Sequence, residues 1–171
     1  MKKLITVAFL LCAFPFVSSG AGTLKLQMTI ITGEHGRDSH SVRTTITVSD
    51  KTVVYQVTYT GRLKSRAPER KEFKLENKDR KTIIKLIKDR NLLVTKSLER
   101  DQESKGTYSY FELVFASDLN GTKGLISIKG PRNAVDMKEM ELFKNSVALI
   151  EEIYLVMDSA DNRMTFEPLI N

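Results

Sequence analysis

The sequence predicts an α+β fold, with an antiparallel β-sheet covered on one face by two α-helices, in the order β-β-β-(β)-α-β-β-α. Three observations lead there. Apolar residues alternate with polar ones through the first third of the chain, an Asn-Gly pair sits between two further alternating runs, and two later segments carry apolar residues at three- and four-residue spacing. The length of 171 residues suits one domain, and a 41% hydrophobic fraction beside 28% charged residues excludes disordered and collagen-like chains.

The N-terminal segment 1–22 is set apart from the fold. Met1-Lys2-Lys3 is a positive start, Leu4 to Val17 is almost wholly apolar, and Ser18 to Gly22 are small residues, which together predict a cleavable secretory signal. The apolar run falls short of the roughly 20 residues that span a bilayer, and no second such run follows. Export to the periplasm or the medium is therefore expected, with a signal of bacterial style. Cys12, the chain's one cysteine, lies inside this segment after Leu10 and Leu11, where a lipid-modified cysteine would follow a small residue. The remaining domain, 23–171, thus has no cysteine and must be held by its core, which at this size can bury roughly two-thirds of the unfolded surface.

Strand one is predicted over 24–32, where Leu24, Leu26, Met28 and Ile30 alternate with Lys25, Gln27 and Thr29. The stretch from Gly33 to His40 has no apolar residue and two glycines, and is expected to be an exposed connection. Alternation returns at Val42, Thr44, Ile46 and Val48, breaks at Ser49-Asp50-Lys51, and resumes at Val53, Tyr55, Val57 and Tyr59. Three such strands with short polar breaks and no crossover helix make an antiparallel meander. Gly61 to Arg70 is a basic connection, and Phe73-Lys74-Leu75 is a short optional strand.

A first helix is expected to begin with Asn77 as N-cap, to present Ile83, Leu86, Ile87 and the stem of Arg90, and to stop at Asn91. Leu92 to Val94 then folds back onto the sheet and Glu99 to Gly106 forms a polar loop. Asn120-Gly121 suits the left-handed dihedrals of a two-residue hairpin turn between strands 108–116 and 124–128, which also accounts for the Asn-Gly-Thr sequon. Asn133 and Asp136 resemble a capping box for a long helix reaching about Met157. Its apolar positions form a broad face suited to a sheet rather than to a coiled-coil seam. Asp158 to Asn171 is read as a tail.

Charge is concentrated in the middle of the chain. After Lys2 and Lys3 are set aside, 25 basic residues face 21 acidic ones. From Arg62 to Arg90 there are 12 basic and 5 acidic residues, leaving the rest of the domain at −3. Arg62, Lys64, Arg66, Arg70, Lys71 and Lys74 are the candidate binding residues, and they would place a positive field over one side of the domain. Lys78, Lys81, Lys85 and Lys88 fit the solvated side of the first helix. Suitable partners are an anionic envelope component or an acidic protein. Nucleic acid fits least, because Phe73 is the segment's one aromatic residue and stacking on single strands needs several.

Candidate chemistry is sparse. Glu34, His35, Asp38 and His40 could supply nitrogen and oxygen ligands to a divalent ion, although their spacing matches no established metal motif. There is no nucleophile elbow and no glycine-rich phosphate loop, and neighbouring carboxylates such as Glu151-Glu152 point to different sides of a helix. No cofactor is implied. The sequence therefore favours an exported, non-enzymatic binding module using the 62–90 segment, over a metal-dependent factor or enzyme centred on 34–40 or an inhibitor of an exported enzyme.

Overall fold

The computed structural model describes residues 23–36, 39–100, 106–131 and 140–161. Seven strands form one sheet: β1 (Leu24–His35), β2 (His40–Val48), β3 (Thr52–Gly61), β4 (Glu69–Lys74), β5 (Thr95–Glu99), β6 (Tyr108–Leu119) and β7 (Thr122–Pro131). Two helices accompany it, α1 (Asn77–Asp89) between β4 and β5, and α2 (Glu141–Ala160) after β7. The class is α+β, as expected. The expected signal segment 1–22 and the expected capping residues Asn133 and Asp136 lie outside the described residues.

The strand order is β4-β3-β2-β1-β6-β7-β5, and every pair is antiparallel except β5 with β7. That parallel pair corrects the expectation of a purely antiparallel sheet, and its cause is topological. β4 and β5 are the two edges, so the chain between them must cross six strand spacings, about 29 Å. α1 covers about 20 Å of that span and carries the chain to the far edge, where β5 joins β7 running the same way, the connection between these two strands passing through β6.

Register builds one apolar face. Leu26 stands opposite Val48, Met28 opposite Ile46 and Phe115, and Ile30 opposite Leu113, so period-two alternation in each strand directs its apolar residues to the same side. Leu24, Leu26, Met28, Ile46, Val53, Phe111, Leu113, Phe115, Ile126 and Ile128 are buried there. They share one hydrophobic cluster with Ile83 and Ile87 of α1 and with Phe143, Leu149, Ile150, Ile153 and Met157 of α2. The opposite face carries Gln27, Thr29, Thr45, Thr47, Gln56 and Thr58, all exposed or half-buried.

Three boundaries differ from expectation. The ladder runs through much of the 33–40 segment, pairing Gly33 with Ser41 and Glu34 with His40, while β6 pairs the same β1 residues from the other side. Pairing on both edges overrides a glycine-rich, polar composition. β4 begins at Glu69, within the expected connection, and β5 occupies Thr95–Glu99, a polar stretch with Leu98 as its one large apolar residue. Both are edge strands, whose charged residues discourage pairing with another chain and leave little alternation to read.

α1 has its cap one residue earlier than expected. Glu76, not Asn77, is the extended N-cap, and no side chain caps the helix. Its end is a Schellman motif, with the Leu92 N–H bonded to the Ile87 carbonyl (2.9 Å), the Asn91 N–H to that of Lys88 (3.1 Å), and Asn91 left-handed at φ 51°. α2 continues through the first residues of the expected tail to Ala160, and residues 162–171 lie outside the description. The helices run in opposite directions. Arg90, capping α1, donates to Asn145 in the first turns of α2 (3.2 Å), whereas Asp161 at the far end of α2 pairs with Lys71 of β4 (2.8 Å).

Candidate binding surface

The segment 62–90 is not one surface. Gly61 pairs with His40, so the β3–β4 connection that follows it lies beside the β1–β2 hairpin. β4 then runs along the sheet edge beside Thr52–Val57, and α1 begins at the opposite end, where Arg80 reaches Asp50 in the β2–β3 turn. Six residues of strand, about 20 Å, separate the two basic groups.

At the hairpin end, Arg62 lies 3.4 Å from the Glu34 carboxylate, which also meets His40 Nδ1 at 3.6 Å. The Arg66 guanidinium lies over the Tyr59 ring, 5.7 Å from its centroid, and Lys64 is exposed. Burial first, then the neighbouring Glu69 carboxylate, holds the Tyr59 phenol above its ordinary value. Along β4 the alternation separates the basic residues. Lys71 lies on the Phe73 side and pairs with Asp161, while Arg70 and Lys74 project to the other side. Lys74 pairs with Glu76 at 2.8 Å, a hydrogen bond that raises its ammonium pKa. Arg80 is a structural clasp. Its Nε and an NH2 group donate to Asp50 Oδ1 (2.9 and 2.7 Å), and the same oxygen accepts the Leu24 N–H at 2.9 Å.

On α1, Lys78, Lys81, Lys85 and Lys88 are all exposed and recur at spacings of three, four and three, forming a row about 15 Å long. No ion pair among the described residues holds any of the four. The row is unfavourable to the helix itself. Each like-charged neighbour at three- or four-residue spacing costs roughly 0.2–0.5 kcal/mol, and there are three such pairs. Lys78, in the first turn, also opposes the positive end of the helix dipole. Lys81→Glu should therefore stabilise the fold, because the new carboxylate would gain Lys85 four residues on and Lys78 three residues back. We expect about 0.5–1 kcal/mol in urea unfolding, and a neutral or destabilising change would contradict this electrostatic reading.

A cleft of about 450 Å³ opens at the hairpin end, lined by Glu34, His35, His40, Arg100, Tyr108 and Tyr110 among others. It gathers part of the sequence-predicted metal set without joining it. Successive residues of a strand face opposite sides, so Glu34 meets His40 on one side while the His35 ring packs 5.2 Å from that of Tyr108 on the other. Asp38 lies outside the described residues. Among the described residues no three His, Cys, Asp or Glu side chains are grouped to hold a metal.

Of the six sequence-predicted binding residues, Arg62, Lys71 and Lys74 sit in ion pairs, Arg66 rests on Tyr59, and Lys64 and Arg70 are exposed. The α1 row was legible in the sequence as a regular spacing of one charge sign, yet any solvated helix face shares that spacing. Its distinguishing mark is the lack of acidic residues at the pairing positions, where Asp89 alone is four residues from a row lysine. No helix among the described residues is long and apolar enough to cross a membrane. No protein-family model matches the chain, and no curated protein matches it.

Proposed function

We propose that the chain is an exported, non-enzymatic binding module that associates with an anionic component of the cell envelope through the exposed basic residues of 62–90. The observation that carries this reading is the α1 row, four exposed lysines that no carboxylate among the described residues pairs with, kept at a cost to the helix. Lys64 and Arg70 extend the positive field along the edge of the sheet. The α+β body acts as scaffold, and we read the two helices as covering the apolar face of the sheet. The cluster shared by that face and both helices supports this reading. Export rests on the composition of 1–22.

Such an association is electrostatic and must weaken as salt screens it. The test is retention of envelope material by the wild-type protein and by the Lys81→Gln/Lys85→Gln/Lys88→Gln variant, at low and at high ionic strength. Wild type should retain material at low salt only, and the variant should retain little at either. Retention of the same material by both proteins would refute the reading.

A further inference from the structure

We propose that the lysine row of α1 seats the protein on the phosphate headgroups of an anionic phospholipid bilayer, an inference that rests on the proposed envelope-binding role and names its target. The row has the chemistry of a contact with a diffuse plane of charge. All four positions are lysine, a compact and mobile point charge, whereas a shaped phosphate or carboxylate pocket draws on the fixed fork of arginine. The arginines of α1 turn elsewhere, Arg80 to Asp50 and Arg90, at its C-cap, to Asn145.

The row also lies on the exposed side of a single helix, within one narrow sector of its surface, so all four ammonium groups can meet a flat surface at once. A protein partner would need a buried anchor, usually aromatic or arginine, at the centre of the contact. α1 offers none. The exposed large apolar residues among those described are Leu125 and Leu155, on β7 and α2. The same lack of an apolar wedge means that the helix rests on the headgroups without entering the acyl region. Binding is therefore peripheral, reversible and proportional to the anionic lipid present.

The experiment is co-sedimentation of the protein, purified after export, with vesicles of phosphatidylcholine alone and of phosphatidylcholine mixed with phosphatidylglycerol. Wild type should bind only the mixed vesicles and be released by salt. Each lysine removed should weaken binding about fivefold, so that the Lys81→Gln/Lys85→Gln/Lys88→Gln variant loses about a hundredfold. Lys81→Glu, which changes the charge by two, should lose about twenty-fivefold while folding more stably, which separates lost binding from lost structure. An Arg43→Gln variant, altered at an exposed position of β2 outside the 62–90 segment, should bind as wild type does. Equal binding by wild type and the α1 variant, or by both vesicle types, would overturn the inference. A parallel titration with soluble polyphosphate distinguishes the two levels. Row-dependent binding to polyphosphate with none to vesicles would leave the anion-binding role standing and remove the bilayer. Row-independent behaviour towards both would remove the two together.

Discussion

Phe111→Ala is expected to lower the unfolding free energy by about 3–5 kcal/mol, the largest single effect that we anticipate. Phe111 lies on β6, which pairs with β1 on one side and β7 on the other, and its side chain has no solvent exposure. Its ring packs 5.7 Å from that of Phe143 at an interplanar angle of 64°, an edge-to-face contact that joins α2 to the sheet. Truncation removes this contact and leaves a cavity. The backbone on both sides is held by the ladder and cannot close the cavity, so both the transfer and the cavity costs apply. Domains of this size have about 5–15 kcal/mol in all, so the variant should sit close to its unfolding limit at physiological temperature. Urea unfolding measures the loss. A value below about 1 kcal/mol would mean that α2 does not pack over β6 as described.

Gly61→Val is expected to be the second large effect, with about 1–3 kcal/mol arising from the backbone alone. Gly61 has φ +60°, a left-handed conformation that a β-branched residue resists, and a Cβ there would collide with the Ser39 carbonyl oxygen. Because Gly61 pairs with His40 at the end of the β2–β3 ladder, the strain should reach the Glu34, His40 and Arg62 cluster. Gly121→Ala offers a control. Gly121 also has positive φ, at +85°, but a Cβ there meets nothing within 4 Å, so the cost should be confined to about 1 kcal/mol of backbone preference. The His40 imidazole resonances should move in Gly61→Val and stay in place in Gly121→Ala. Equal losses with unmoved His40 signals would contradict the close approach.

Strands with one buried face were legible because burial itself imposes the alternation, as in Leu24 to Ile30. The Asn120-Gly121 turn was legible because both residues need positive φ, and they have it, at 56° and 85°. β4 and β5 were harder to see for the opposite reason. Edge strands bury little, so Thr95–Glu99 shows almost no pattern, and its parallel partner follows from where α1 delivers the chain rather than from any local residue. The site was less legible than the fold. Composition counted charges from Arg62 to Arg90 as one group, whereas strand alternation and the path along the sheet edge divide them. Ion pairs such as Lys71 with Asp161, 90 residues apart, join partners that no spacing rule connects.

The proposed role of the α1 row is best tested by measuring Lys81→Glu in two assays on one preparation, urea unfolding and retention of envelope material at low salt. The variant should be more stable than wild type by about 0.5–1 kcal/mol and, on the proposed role, should have lost most of its retention. A variant that retains the same material as wild type would make the row an ordinary solvated face and contradict its role in binding.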